Sequence, residues 1–405
     1  MSVFAAVPLA PRDPVLGVTE AFREDPRGIK VNLGVGVYQD ERGDIPVLDC
    51  VRQVELAMGQ DTRPHGYLPI DGFPLYLATV KALVFGTGSE ILDRVATVQG
   101  LGGTGGLRIG AGVLAGLNPR PAVLVSDPSW ENHEALFRRA GFRVGRYRYY
   151  DPERHDVDTG GMLADLAAAP KGSIVVLHAC CHNPTGCDLT ESDWEEVVKV
   201  CSERGLVPFL DMAYQGFGAG LAQDATAVAQ FAAAGQTFLV ASSFSKSLSL
   251  YGERVGAINF VTASADEAAR VLSQAKVTAR TLYSNPPSFG AKVAAQVLAD
   301  PALKASWEQE LAGMRRRITT MRQALKTGLE QAGVPGDLSY ITTQRGMFSY
   351  SGLSPEQMRR LRQQYGVYGL GSGRLCVAAL NPGNIDYVIE AIADVMSQPD
   401  AGPAD

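Results

Sequence analysis

The sequence predicts an α/β fold, with a large domain built on a mostly parallel central sheet and a smaller α+β domain beside it. Three observations lead there. Short apolar runs alternate with amphipathic stretches through the middle of the chain, the pattern of strands covered on both faces by helices. At 405 residues the chain is longer than one simple core accommodates, so a second unit is expected. From about Pro301 the texture changes to a long run rich in Glu, Arg, Leu, Ala and Met, a helix able to connect two domains.

The expected strands are Ala122–Ser126, Ile174–His178, Leu206–Asp211 and Phe238–Ser242, each short and apolar. Between them, Glu191–Val200 reads as a helix with Thr190 as its N-cap, where a hydroxyl can accept a free N–H of the first turn. Gly102-Gly103-Thr104-Gly105-Gly106 reads as a turn before a helix over Leu107–Leu117. Gly110, Gly112 and Gly116 weaken that helix intrinsically, which points to close packing on the sheet. Leu303–Gln331 is the long helix, and the tail after Ser397 is expected to fray.

Composition narrows the function classes. A net charge of −6 leaves no basic footprint for nucleic acid. No apolar run approaches the ~18 residues of a membrane span. The first eight residues carry no charged leader pattern, so cytoplasmic residence is expected. Six cysteines are too sparse for a disulfide framework and suit a reducing compartment. His178-Ala179-Cys180-Cys181-His182 raises zinc as an alternative. An extended segment would turn the two thiols to opposite faces, and no Cys-x-x-Cys accompanies them, so buried thiols are the preferred reading.

The chemistry concentrates around Lys246. It follows an apolar strand, with Ser243 and Ser245 before it and Arg254 eight residues on. A lysine amine attacks a carbonyl well only when burial and nearby cations lower its pKa. Two hydroxyls and a guanidinium are donors that suit a phosphate monoester. A lysine that forms a Schiff base beside a phosphate site describes pyridoxal phosphate. Gly103 and Thr104, at the expected start of a helix, complete a phosphate cup, because a helix N-terminus carries free N–H groups and partial positive charge. Asp211 ends a strand, where α/β sheets place their ligands. A buried aspartate there needs a cation, which a protonated pyridine nitrogen would supply; a helix N-cap is the plainer alternative.

Ser243-Phe244-Ser245-Lys246, then Gly252-Glu253-Arg254-Val255-Gly256, resembles the fold type I aminotransferases, specifically their aspartate/aromatic branch. The likeness runs from Asp13-Pro14-Val15-Leu16-Gly17 to Ser372-Gly373-Arg374, nearly the whole chain. It implies a PLP-dependent transferase of fold type I, with a large domain over 46–310 and a small domain of 1–45 with 311–405. It implies that Asp211 holds the pyridinium, Tyr214 and Asn183 meet the ring's phenolic oxygen, and Trp130 stacks on the ring. His133 and His178 would orient Asp211. Arg374 and Gly36 would take the substrate α-carboxylate, together with Asn183. Arg280 would reach across a dimer interface to a second carboxylate, and Tyr67 would be lent to the partner's phosphate, so a homodimer with shared sites follows.

The implied reaction moves an amino group between aromatic or acidic amino acids and 2-oxo acids such as 2-oxoglutarate or oxaloacetate, with Lys246 as general base. Gln344–Tyr350, Tyr251–Arg254 and Ile45 look closer to bacterial aromatic enzymes, whereas Thr104 and Asn285 look like the aspartate branch. Dual specificity is therefore expected, with Val37, Ile45 and Phe348 as an apolar wall. An aspartate-specific transaminase, a PLP-dependent lyase or decarboxylase, and a nicotinamide-binding or non-catalytic α/β protein stay open as alternatives. The last would want Gly-x-Gly-x-x-Gly spacing, which is absent.

Overall fold

The computed structural model describes residues 2–62, 64–117 and 120–398. The tail expected to fray lies outside the described residues from 399 onward. The central sheet has seven strands: β1 (Val95–Leu101), β2 (Val123–Asp127), β3 (Val144–Arg148), β4 (Ile174–His178), β5 (Val207–Met212), β6 (Phe238–Ser243) and β7 (Val255–Val261). Their order is β1-β7-β6-β5-β4-β2-β3. Only β7 runs against its neighbours; it pairs antiparallel with both β1 and β6, while β2, β3, β4, β5 and β6 pair in parallel.

Burial on both faces explains why these strands read as continuous apolar runs. Along β4, Ile174 and Val176 pack into one core and Val175 and Leu177 into the other, the period of two that a pleated strand imposes. The four expected strands appear at their sequence positions to within one residue.

Five helices position the site or frame it: α1 (Gly102–Ala115), α2 (Glu131–Arg139), α3 (Glu191–Arg204), α4 (Ala265–Tyr283) and α5 (Pro301–Gln331). On α3, Thr190 Oγ1 accepts from Asp193 N at 3.2 Å and the Asp193 carboxylate accepts from Thr190 N at 2.9 Å, a reciprocal cap that fixes its start. The expected connector helix begins two residues early, because Asp300 caps it with Pro301 in its first turn.

The glycine-rich run departs from expectation. Gly102–Gly106 is the first turn of α1 and not a turn ahead of it. Close approach is the reason: a Cβ on Gly106 would stand 2.8 Å from the Ala257 carbonyl oxygen of β7, and one on Gly110 would stand 2.5 Å from Phe209 of β5. Those two glycines press α1 onto the sheet. Gly112 instead faces Thr278 of α4, and Gly116 lies just past the helix end.

Outside the large sheet, Val31–Asn32 pairs in parallel with Val367–Tyr368, and Phe348–Tyr350 pairs antiparallel with Arg374–Cys376. The second ladder sets Tyr350 opposite Arg374, bringing Phe348 and Arg374 into one small sheet. Among the described residues, no helix is long and apolar enough to cross a membrane. All six cysteines are buried free thiols.

Candidate active site

A cavity of about 310 Å³ opens at the carboxyl ends of the central strands, the edge where parallel sheets place their ligands. Lys246 reaches it from the loop after β6, Asp211 and Tyr214 from the end of β5, and Gly103 and Thr104 from the first turn of α1. Trp130, Asn183, Ser243, Ser245, Arg254, Gly36, Phe348 and Arg374 line the same space. Residues spread from the chain's start to its end thus converge on one hollow.

Arg254 anchors one end. It sits in a left-handed conformation at φ 55°; its Nη1 donates to Ser245 Oγ at 3.1 Å and to the Tyr251 carbonyl at 3.1 Å. Gly102, at φ +65°, leaves room for the guanidinium, since a Cβ there would lie 2.4 Å from Arg254 Nη2. Gly102 N donates to the Arg254 carbonyl at 2.8 Å. The helix N-terminus, two serines and the guanidinium therefore converge as anion donors.

Asp211 lies below the cavity, 5% exposed. Its Oδ2 accepts from His133 Nε2 at 2.9 Å, and His133 Nδ1 meets Ser129 Oγ at 3.0 Å. Its Oδ1 is buried with no hydrogen-bond partner. Burial alone would raise this carboxyl. The hydrogen bond from His133, with Lys246 nearby, outweighs it and holds Asp211 below the ordinary carboxylate range. The N-cap alternative does not hold, because the residue orders no helix start. His178 packs between the His133 and His182 rings at centroid separations of 4.9 and 4.3 Å. Neither of its ring nitrogens has a partner, and burial pushes its pKa well down. Of the two histidines expected to orient Asp211, only His133 bonds to it.

Lys246 Nζ stands 4.8 Å from the Tyr214 ring centroid. Burial, reinforced by Arg254 and Arg374 against the opposing pull of Asp211, brings its pKa down to about 8. Burial pushes the Tyr214 hydroxyl up. Arg374 is 2% exposed; it donates to Asn183 Oδ1 at 2.9 Å and to the Gly34 carbonyl at 2.7 Å, with its guanidinium 4.3 Å from the Phe348 ring centroid. Its Nε has no partner.

These features fit pyridoxal phosphate. An unpartnered buried carboxylate oxygen suits a ring N–H, a depressed lysine suits an aldehyde, and the donor cup suits a phosphate. Trp130 meets His133 edge-on at 5.2 Å; it lines the cavity and also packs against the core on one face of the sheet.

Three expected residues do not join this cavity. Tyr67 is 96% exposed, Arg280 is exposed and bonds Ser284 Oγ just past the end of its own helix, and Ile45 lies 51% exposed in an adjoining groove with Val37. Conversely, sequence reading passed over Val15, Leu16, Val35 and Tyr251, which line the cavity. Val15, Leu16 and Tyr251 lay inside motifs already singled out, but nothing local shows that those side chains face the site. Tyr251 Oη accepts from Tyr38 N at 2.9 Å, tying the lysine loop to the segment that carries Gly36.

The Cys180–Cys181 segment also differs from expectation. Cys181 takes φ 51°, so the segment is not extended, and the two thiols come together with Asp224.

Comparison with known proteins gives a consistent picture. The family profile described as aminotransferase class I and II matches residues 28–392. An aspartate aminotransferase from Pseudomonas aeruginosa is 54% identical over 98% of this chain and 100% of its own length. An aromatic-amino-acid aminotransferase from Escherichia coli is 49% identical over 95% of this chain and 98% of its own. Among solved structures, the aromatic-amino-acid aminotransferase from Burkholderia pseudomallei covalently bound to pyridoxal phosphate superposes with a TM-score of 0.95 at 57% identity, over 98% of this chain and 100% of that one.

Proposed function

The chain belongs to the class I and II aminotransferase family, and from the contents of its cavity we propose that it is a pyridoxal-phosphate transaminase serving both aromatic and acidic amino acids. The observation that carries this reading is a single cavity holding Lys246, the unpartnered Asp211 Oδ1 and Arg374 together with an apolar rim of Val15, Leu16, Val37 and Phe348. The cation suits a carboxylate, and the rim suits an aromatic side chain.

Gly103, Thr104, Ser243, Ser245 and Arg254 would hold the cofactor phosphate, Asp211 its ring nitrogen, Tyr214 and Asn183 its phenolic oxygen, and Trp130 one ring face. When bound, pyridoxal phosphate supplies an aldehyde for amine exchange and a ring that accepts electron density from the substrate Cα. Arg374 grips the substrate α-carboxylate through its fork and so fixes the Cα–H bond in place. Lys246 Nζ takes the proton from that carbon, and its lowered pKa, about 8, leaves far more of the amine in its basic form near neutrality than an ordinary lysine would have. Asp211 stays ionised through His133 and keeps a positive partner protonated. The net exchange converts an amino acid and a 2-oxo acid into the corresponding 2-oxo acid and amino acid.

The same reading assigns 46–310 to a large domain and 1–45 with 311–405 to a small one, so that Gly36, Phe348 and Arg374 approach the cofactor from the small side. Arg280 and Tyr67 act in a partner's site within a homodimer. Their exposure, with Val277 also exposed on the helix that carries Arg280, supports that placement. A cytoplasmic location fits six free thiols.

The test is an absorption spectrum of the purified protein during titration with aspartate and then phenylalanine. Bleaching of the visible band by both amino acids supports dual specificity. Bleaching by aspartate alone makes the enzyme aspartate-specific, and absence of a visible band after added pyridoxal phosphate refutes the cofactor assignment.

A further inference from the structure

Among the described residues, two groups bring three potential metal-ligand atoms within 4.8 Å of one another. His133, His178 and Asp211 belong to the cavity already described. The second group is Cys180, Cys181 and Asp224, all buried and outside that cavity.

The backbone is arranged to produce this second cluster. In an extended chain, adjacent side chains point to opposite faces, whereas the left-handed φ of 51° at Cys181 brings both sulfurs to one side. Non-glycine residues adopt that conformation only against a steric cost. The neighbour that permits it is Gly346, at φ +75°, where a Cβ would lie 2.5 Å from Cys181 Cβ. Asp188 pins the segment, accepting from Cys181 N and His182 N at 2.8 Å each. Asp224 is held as firmly: Oδ2 accepts from Gly216 N and Gly218 N at 2.7 and 2.9 Å, and Oδ1 accepts from Ala219 N at 2.8 Å. A carboxylate oxygen that takes one N–H keeps a second lone pair, so the Asp224 carboxylate remains able to coordinate.

We propose that Cys180 Sγ, Cys181 Sγ and a carboxylate oxygen of Asp224 form a binding site for a soft divalent cation of the zinc class. Two thiolates and a carboxylate are three of the four ligands of a tetrahedral zinc site. The fourth is a water from the adjoining cavity of about 470 Å³, which Cys180, Asp188 and Asp224 line and which gives the ion its path. Binding releases the two thiol protons to solvent and leaves the site with a net charge of one negative unit. The buried Arg322 guanidinium, bonded to the Ile341, Gly346 and Phe348 carbonyls, balances that charge nearby. The metal would clip the loop leaving β4, which leads to Asn183, to the loop leaving β5, which carries Tyr214.

The experiment uses the holoenzyme after chelator treatment. Zn²⁺ is titrated in by calorimetry, and Cd²⁺ is followed through its ultraviolet sulfur-to-metal absorption. One ion per chain is expected, with that absorption lost in Cys180→Ser and in Cys181→Ser and retained in Cys50→Ser. X-ray absorption on zinc-loaded wild-type protein needs no variant: two sulfurs at about 2.3 Å with two oxygens at about 2.0 Å would support the site. The thermal midpoint of the wild-type holoenzyme should also rise with Zn²⁺, since a ligand specific to the folded state stabilises it. Oxygen- and nitrogen-only coordination, no uptake, or uptake that survives both serine variants would overturn the proposal.

Discussion

Arg374 Nη1 donates to Asn183 Oδ1 at 2.9 Å, joining residues 191 positions apart. The contact spans the two sides of the cavity: Asn183 lies past the end of β4, and Arg374 belongs to the small ladder with Phe348. Two fixed acceptors and a ring face therefore set the plane of the guanidinium before any substrate arrives. Preorganisation of that kind spares the ordering cost at the moment of binding.

Arg374→Lys keeps the charge and loses the fork. A single ammonium cannot satisfy Asn183, Gly34 and a bidentate carboxylate together. Each charge-assisted bond lost costs ~1.5–3 kcal/mol, so kcat/KM should fall by about 10²-fold or more, for aspartate and phenylalanine alike. Steady-state kinetics on both substrates checks this. A loss confined to one substrate would place the residue at the side-chain pocket instead.

The lowered pKa of Lys246 gives a pH prediction. Only the unprotonated amine is nucleophilic, and the amine titrates near 8 in place of the ordinary 10.5. The rate at which apoenzyme captures pyridoxal phosphate covalently should therefore rise with pH through a midpoint near 8. Rapid-mixing absorbance measures it. Linkage runs in the same direction: between about 8 and 10.5 the unfolded chain holds a proton that the folded one has released, so this group's contribution to apoenzyme stability improves as pH rises across that window. A capture rate that keeps climbing toward an ordinary lysine pKa would contradict the assignment.

Much of this site was legible in the sequence, for physical reasons that differ by residue. Lys246, Ser243, Ser245 and Arg254 occupy one short stretch whose local backbone carries the chemistry, so spacing alone revealed them. Asp211 was legible because a strand end is a place as well as a residue. Val35 and Leu16 were not: they face the cavity only because the N-terminal segment folds across it, and no local period records that. The start of α1 was misjudged for a related reason. Glycines suggest a turn by their local preferences, yet here contact with β7 and Arg254 selects glycine within the helix. Cys181 shows the same limit, since its left-handed backbone depends on the clearance at Gly346.

Asp211→Asn should preserve the shape of the site and remove its charge. The remaining amide can still meet His133, but it no longer holds a ring nitrogen protonated. Loss of one preorganised electrostatic partner in a buried site is worth roughly 3–4 kcal/mol in the transition state. Turnover should accordingly fall by about 10²–10³-fold, with cofactor still bound through Lys246 and the phosphate cup. Cofactor stoichiometry and kcat, measured on the same preparation, separate this outcome from simple loss of cofactor.

Gly36→Ala tests the close approach at the substrate end. An added Cβ would stand 2.6 Å from Phe348 Cζ, so the ring or the 34–38 segment must shift. Because Phe348 also stacks under Arg374, KM should rise for both substrate classes while the visible cofactor spectrum stays unchanged. An altered spectrum with an unchanged KM would move the role of Gly36 to the cofactor.

Arg280 supplies the sharpest test of the dimer. It is exposed on α4 and absent from its own chain's cavity, and its helix also exposes Val277 at 58% and Leu282 at 41%. In the proposed homodimer it serves the neighbouring subunit's site, since it does not line its own chain's cavity. In the half-reaction with the amino acid alone, Arg280→Ala should depress conversion of aspartate strongly and of phenylalanine little, since only the former offers a second carboxylate. Mixed with Lys246→Ala subunits and allowed to exchange, it forms hybrid dimers in which one site has an intact lysine from one chain and an intact arginine from the other. With random reassortment in an isologous dimer, about a quarter of all sites become whole, so aspartate activity should return to roughly that fraction of wild type although each parent alone is nearly inactive. If both residues served the same chain's site, no hybrid would contain a complete set and activity would stay at the parental level. Refolding the mixture and assaying aspartate turnover decides between the two arrangements.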